Sequence, residues 1–195
     1  MGVDVLACSG HKGPLGPLGT GLVYIRPGVE KELRSLRQGG TGSQSEDDRQ
    51  PESLPDKYES GNHNAPGIVG LDAALGWIEE RGVESLRAHE TERTDQLVAG
   101  LREIPGVHLH GPATSEMRTG VVSVTLDGFD PQDAAAVLDE HFGIEVRAGL
   151  HCAPRAHEAL GTLERGGTVR LSVGAFTCEE DVKSALSALR ELSGA

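Results

Sequence analysis

VRAGLHCAP, residues 146–154, places a thiol in a loop of small residues directly after a predicted strand. Cys152 lies there beside the cationic side chains of Arg147 and Arg155 and the imidazole of His151. Positively charged neighbours favour the thiolate, which is the nucleophilic form of cysteine. A free cysteine is also a common small apolar residue of protein cores, so this stretch alone leaves a structural role open.

Outward from this loop, short apolar runs alternate with helical patterns from residue 107 to the C-terminus. The hydrophobic periodicity predicts helices at 131–142 and 178–193, the latter opened by a capping box of Thr177 and Glu180. We therefore predict a compact α/β sandwich with its own core in this region. The predicted strands cover residues 107–110, 121–126, 144–147 and 168–173.

GTVRLS, residues 167–172, places Arg170 inside one of these apolar strands. A guanidinium is costly to bury unless it meets an anion, and its planar fork suits a carboxylate. The carboxylate of an amino acid would serve. The alternative is an arginine at a sheet edge that extends its charged end into water.

SGHK, residues 9–12, follows an apolar run at 3–8 that reads as a buried strand. A Gly/Pro-rich turn at 13–19, a second strand at 21–25 and a helix from Pro27 to about residue 36 complete this segment. A lysine in a semi-buried pocket at a strand end can form a Schiff base. A strand that simply ends in a polar turn is the alternative.

Residues 38–64 contain Gly-Gly-Thr-Gly, acidic and Pro residues and little apolar periodicity, which predicts a long irregular loop. Such loops are more often functional or disordered than structural. The pattern then predicts a helix at 66–81 that Gly82 ends, and a second helix at about 83–104.

Composition excludes several classes of function. Lys and Arg total 18 against 30 Asp and Glu, a formal charge of -12, so we expect no nucleic-acid partner. No apolar run is long enough for a membrane span and no signal peptide is apparent, so we expect a cytoplasmic protein. Three widely separated cysteines make a disulfide framework improbable. A zinc site at His151, Cys152 and His157 lacks a fourth ligand, and we expect no metal.

Four motifs occur in order along the chain: SGHK at 9–12, ExGxxN at 59–64, RxGxHCAP at 147–154 and GTVRxS at 167–172. Together they resemble the class V aminotransferase superfamily, specifically its cysteine desulfurase and selenocysteine lyase branch. The resemblance covers nearly all 195 residues. The His-Cys-Ala-Pro segment combined with the downstream arginine strand is more specific than any single motif. Residues 39–42 also resemble an active-site loop of the family, although a flexible hinge is equally consistent with them.

The resemblance implies a fold type I protein that uses pyridoxal 5'-phosphate (PLP). It implies that Lys12 links to the cofactor through a Schiff base, while Ser9 and His11 hold the phosphate. In relatives a threonine of the ExGxxN loop reaches the phosphate of the partner in a homodimer, and Asn62 stands at that position here.

By the same resemblance, Cys152 takes sulfur from L-cysteine as a persulfide and releases alanine. Arg170, with Arg147 and His151, contacts the substrate. A sulfur-acceptor protein and a role in iron–sulfur cluster assembly are further expectations.

The resemblance also implies a domain organisation. Residues 1–80 would form the C-terminal part of the PLP-binding large domain, 81–104 a connecting helix and 105–195 a small α/β sandwich domain. Relatives have about as many residues again before the cofactor lysine, including the acid that pairs with the pyridinium nitrogen. We therefore expect this chain alone to bind PLP poorly and to be weakly active or inactive.

Two alternatives stay open from the sequence. The same fold could catalyse a class V aminotransferase or selenocysteine lyase reaction. The chain could also be an inactive fragment, or a dimerisation module that completes a site on another subunit.

Overall fold

The computed structural model describes residues 2–44, 46–112 and 118–194. The chain divides into two compact units, Met1–Gly82 and Val83–Ala195. Of the helices in the described residues, none is both long and apolar enough to cross a membrane.

The first unit begins with two antiparallel strands, β1 (Val5–Ser9) and β2 (Gly21–Ile25). Leu6 pairs with Tyr24, and Ala7 pairs with Val23, so apolar side chains alternate between the two faces of this ribbon. Leu6 is 49% exposed and Val23 is 65% exposed, which shows that neither face is covered. Apolar residues on both faces are typical of a strand that is buried on both sides.

Residues 27–36 do not form the predicted helix, and that prediction is wrong. Only a single 3-10 turn, Val29–Lys31, forms there, after Gly28 in a left-handed conformation. The carbonyl of Glu30 accepts a hydrogen bond from Lys57 Nζ at 2.8 Å. In a continuing helix, the Glu30 carbonyl would accept from a backbone amide of the next turn. Here it accepts from the side chain of Lys57 instead.

Residues 38–64 contain no helix or strand in their described part, as the composition predicts. Helix α1 (Ala65–Arg81) follows, and it confirms the predicted helix at 66–81. Asn64 caps its first turn by accepting from the amide of Gly67 at 3.2 Å. Gly82, with φ of 81°, ends it.

The second unit begins with α2 (Val83–Arg102) and contains one four-stranded antiparallel sheet. Its strands lie side by side in the order β3 (Val107–His110), β4 (Val121–Leu126), β6 (Thr168–Ser172) and β5 (Arg147–Gly149). Three strand predictions and two helix predictions are confirmed to within a residue of each end. The remaining elements are α3 (Pro131–Phe142), α4 (Pro154–Ala159) and α5 (Glu179–Ser193).

The core of the second unit lies between one face of this sheet and helices α2, α3 and α5. Val124 pairs with Val169 on that face, and both are almost fully buried. Successive residues of a strand point to opposite faces, so Ser123 and its partner Arg170 project from the other face. The sheet therefore has one apolar face and one polar face, and the polar face carries Arg170 and its neighbour Arg147.

Two local predictions in this unit are wrong, and one helix was missed. Strand β5 begins at Arg147 rather than at residue 144, because only residues 147–149 pair with β6. The capping box of α5 is formed by Cys178 and Asp181, while the hydroxyl of Thr177 accepts from the amide of Gly174 at 3.0 Å. Helix α4 was not predicted, since it is short and mostly exposed and lacks an apolar stripe.

Candidate functional site

The turn after β1 is held in place by backbone hydrogen bonds. The amide of Gly10 donates to the carbonyl of Thr20 at 2.9 Å, and the amide of Gly16 donates to the carbonyl of Gly10 at 2.8 Å. Gly10 is buried, and the side chain of Thr20 occupies the space that a β-carbon at position 10 would need. A residue larger than glycine would therefore displace this turn.

The turn carries three of the predicted site residues. His11 and Lys12 are exposed, and Ser9 is half-buried. Within the described ranges, no hydrogen bond or ion pair engages the Ser9 hydroxyl, the His11 ring or the Lys12 amine. These groups are available to a ligand.

The long loop of the first unit is closed by a contact between its two Gly-containing segments. The amide of Gly61 donates to the carbonyl of Gly40 at 2.8 Å, and the amide of Gly39 donates to Gln50 Oε1 at 3.1 Å. The segments 39–42 and 59–64 are therefore adjacent. Asn62 is exposed at this junction.

Lys57 anchors the same loop and was missed by sequence reasoning. Its side chain is buried, and its amine donates to the Glu30 carbonyl and to Glu52 Oε2 at 2.6 Å. The ring of Tyr58 lies 5.9 Å from this amine. A lysine in a polar segment gives no sequence signal of burial, because one of its two partners, the Glu30 carbonyl, lies 27 residues away in the chain.

In the second unit, Arg147 lies directly opposite Arg170 in the pairing of β5 with β6. Arg170 donates from Nε to Ser172 Oγ at 3.1 Å. Neither arginine forms an ion pair with an acidic side chain in the part of the chain that is described. Two guanidinium groups therefore share the polar face of the sheet with no anion between them.

Cys152 lies in the loop that follows β5. Its thiol is exposed and accepts a hydrogen bond from Arg147 Nη2 at 3.4 Å. Both His151 and Cys152 adopt left-handed backbone conformations, with φ of 53° and 59°. Residues other than glycine rarely adopt this conformation, and it persists where the surroundings impose it.

The ring of His151 is held by the same strand. A carbonyl oxygen can only accept, so His151 Nε2 carries a proton and donates to the carbonyl of Arg147 at 3.0 Å. Burial lowers the pKa of His151 from its ordinary value, and the positive charges of Arg170 and Arg147 lower it further against the effect of this hydrogen bond. Both effects favour the neutral imidazole.

The other two cysteines, Cys8 and Cys178, are also exposed and unpaired. Cys178 caps α5, and neither residue has an arginine as a hydrogen-bond donor among the contacts of the described residues. Cys152 therefore differs from both in having a guanidinium at its sulfur.

The predicted site residues fall into two groups. Ser9, His11, Lys12 and Asn62 belong to the first unit, and Arg147, His151, Cys152 and Arg170 belong to the second. Within the second unit, the structure brings all four predicted residues to one strand pair and the loop that follows it.

Comparison with known proteins gives the family. The family model for aminotransferase class-V matches residues 1–185. A protein of Methanothermobacter thermautotrophicus named probable cysteine desulfurase is 36% identical over 100% of this chain and 48% of its own length. A protein of Pyrococcus abyssi with the same name is 35% identical over 97% of this chain and 46% of its own length. The chain thus spans about half the length of these curated relatives.

A solved structure agrees with these matches. The apo structure of a cysteine desulfurase from Thermococcus onnurineus NA1 superposes with a TM-score of 0.85 and 34% identity, over 98% of this chain and 47% of that one. This likeness confirms the predicted α/β architecture as part of the PLP-dependent transferase fold type I. Because the family model matches nearly the whole of this chain, the chain belongs to the aminotransferase class-V family.

Proposed function

We propose that this chain is the C-terminal half of a cysteine desulfurase, which uses PLP to remove sulfur from L-cysteine. One observation carries the proposal: the exposed Cys152 thiol accepts a hydrogen bond from Arg147, which lies opposite Arg170, and neither arginine forms an ion pair within the described residues. This arrangement offers a nucleophile beside two sites for a carboxylate. The names of the matched relatives agree with this activity.

The first unit provides groups that suit PLP, which carries a phosphate and an aldehyde. We propose Lys12 as the lysine that binds the aldehyde, since no carboxylate among the described residues holds its amine in an ion pair. Ser9 and His11 would donate to the phosphate, because neither side chain is bonded to another among the residues that the structure describes. Gly10 between them is fixed by its hydrogen bond to Thr20, which keeps the two donors in place.

Asn62 is the proposed donor to the phosphate of a second copy in a homodimer. Its support is its exposure at the junction of the two Gly-containing segments, where an amide can replace the threonine of relatives as a hydrogen-bond donor.

The second unit would bind the substrate. A guanidinium binds a carboxylate through two parallel hydrogen bonds, and such charge-assisted bonds are stronger than neutral ones. Arg170 is the proposed carboxylate ligand, with Arg147 opposite it in the strand pair. His151, which is bonded to the Arg147 carbonyl, is proposed to contact the substrate as well.

Cys152 is the proposed sulfur acceptor. When bound, PLP supplies an electron sink for charge that develops on the substrate. The Cys152 thiolate attacks the substrate sulfur, the carbon–sulfur bond of L-cysteine breaks, and a sulfur–sulfur bond forms on Cys152. The substrate carbon gains a proton, so that L-cysteine and the thiol become L-alanine and a persulfide. Arg147 orients the attacking sulfur through its hydrogen bond.

The remaining assignments concern the whole protein. We propose that residues 1–80 are part of the PLP-binding domain and that 81–104 connect it to the small domain at 105–195. We propose further that the protein is a homodimer in the cytoplasm. It would pass sulfur to an acceptor protein for iron–sulfur cluster assembly. We also propose that the 195 residues alone bind PLP weakly. The uncovered apolar faces of the β1–β2 ribbon support this, since a two-stranded ribbon is marginally stable by itself.

Borohydride trapping tests the cofactor assignment. The chain is incubated with excess PLP, reduced, digested and mapped by mass spectrometry across its lysines at positions 12, 31, 57 and 183. We expect the label at Lys12, its loss in Lys12→Ala, and its retention in the matched exposed variant Lys31→Ala. A label spread evenly over the lysines contradicts the assignment.

Transfer of sulfur tests the reaction. In the whole protein that contains this chain, loaded with PLP and given isotopically labelled L-cysteine, we expect equal amounts of alanine and of persulfide on Cys152. Both should vanish in Cys152→Ala and persist in Cys8→Ala and Cys178→Ala. Unchanged turnover of L-cysteine in Cys152→Ala would favour the aminotransferase or selenocysteine lyase alternative. Turnover of selenocysteine by the same variant, measured separately, distinguishes these two reactions.

A further inference from the structure

His157 is a buried histidine that the proposed reaction does not use. It is only 4% exposed, although most of helix α4 around it is exposed. Its Nδ1 lies 2.8 Å from the hydroxyl of Thr162, which is 2% exposed. A buried polar pair of this kind is retained where both partners are satisfied.

Residues 157 and 162 are held together at more than one pair of atoms. The amide of Thr162 donates to the carbonyl of His157 at 2.9 Å, and the Thr162 hydroxyl points at the same carbonyl from 3.4 Å. If the hydroxyl proton is directed there, its lone pair accepts from Nδ1–H of His157. Residues 157 and 162 are thus joined by main chain and side chain, which fixes the position of the His157 ring.

The fixed ring packs against the loop that carries the thiol. The ring centres of His157 and His151 are 5.4 Å apart, with the planes inclined at 48°. His151 is also bonded to the Arg147 carbonyl, so its ring is held by a hydrogen bond and by a packing contact. Two constraints of this kind can maintain the left-handed conformations at positions 151 and 152.

We propose that His157 is a positioning residue for the Cys152 thiol. It acts through His151, whose placement keeps Cys152 within hydrogen-bond distance of Arg147. The inference rests on the proposed function in one respect, that Cys152 is the residue whose reactivity matters. The contacts that join Thr162 to His157, His157 to His151 and His151 to Arg147 do not depend on that function.

The test measures thiol reactivity without cofactor or substrate, so that its failure is distinct from failure of the desulfurase proposal. Iodoacetamide alkylation of the full chain is followed by mass spectrometry at Cys152, with Cys8 and Cys178 in the same molecule as internal references. In His157→Asn we expect the Cys152 rate to fall about tenfold, because a displaced sulfur loses its hydrogen bond from Arg147. The reference rates should not change.

A double-mutant cycle separates positioning from general damage. Arg147→Gln should lower the Cys152 rate by a similar factor, and adding His157→Asn to it should have no further effect. A further equal fall in the Arg147→Gln background overturns the proposal, as does an unchanged rate in His157→Asn.

Two more variants guard against unfolding. Thr162→Val removes the hydroxyl that holds the His157 ring but keeps the ring, so it should lower the Cys152 alkylation rate by a smaller factor. If His157→Asn does not fold, Thr162→Val takes its place in the double-mutant cycle, with the same expected and contradicting outcomes. His141→Asn changes an exposed histidine of α3 and should leave Cys152 unaffected.

Discussion

Arg147 lies directly opposite Arg170 in the pairing of β5 with β6, and no acidic side chain of the described residues pairs with either. Like charges directly opposite each other destabilise an antiparallel sheet. The pair is therefore a local cost that a bound carboxylate would offset. Binding sites often carry such costs to stability.

Arg147→Gln should stabilise the second unit in the absence of ligand by a few tenths of a kcal/mol, since it removes one of the two facing charges. The gain should shrink at high salt, which screens exposed charges. Urea denaturation at low and high ionic strength measures it. Arg155→Gln, which removes a neighbouring exposed charge outside the strand pair, is the matched control, and an equal gain there would contradict the explanation.

Acidification should destabilise the second unit below about pH 6.5. Burial lowers the pKa of both His110 and His151 from the ordinary value of 6.5. As the pH falls, the unfolded chain binds these protons before the folded one does, so stability present above pH 6.5 is lost on acidification. Thermal melting from pH 7.5 to 5 should show a weaker dependence in His110→Asn than in the exposed control His141→Asn.

Gly167→Ala should destabilise the second unit by about 2–4 kcal/mol, because it combines backbone strain with a steric clash. Gly167 has φ of 101°, and a β-carbon there would collide with the backbone of Gly149 on the neighbouring strand. Gly174→Ala is the matched control, since it has free space and no left-handed backbone. Equal denaturation midpoints for the two variants would contradict the explanation that strain and the clash with Gly149 make position 167 intolerant of alanine.

Lys57→Met should loosen the long loop of the first unit. The substitution keeps most of the buried aliphatic chain but removes the donors to Glu30 and Glu52. We expect limited proteolysis within residues 38–64 to become several-fold faster, because cleavage follows local opening. Lys31→Met changes an exposed lysine of the same unit, and its cleavage rate should match that of the unchanged chain.

The β1–β2 ribbon should bind hydrophobic dyes. Leu6, Val23 and Tyr24 are each about half exposed or more, which is unusual for strand residues of this kind. Replacing Leu6 and Val23 together by Thr should lower the fluorescence of bound 1-anilinonaphthalene-8-sulfonate, with little loss of stability. The same double replacement at buried Val122 and Val124 should instead unfold the second unit.

The local elements of the second unit could be predicted from the sequence because their signals are local. Strand β4 is a short run of mostly β-branched apolar residues, and α3 opens with a proline and is capped by Gly143, so each carries its own pattern or boundary. Strand β5 was misplaced by three residues, because its bounds depend on where β6 pairs with it. The helix expected after Pro27 failed for a similar reason, since Lys57 binds the carbonyl that the helix needs.

By itself, the sequence determined the fold class, the order of most strands and helices, and the residues that deserve a chemical test, among them Lys12 and Cys152. Only the tertiary structure decided that Arg147 faces Arg170, that Arg147 reaches the thiol, and that His157 and Lys57 are buried. Periodicity and capping act between residues a few positions apart, whereas register and burial depend on contacts between segments distant in the chain.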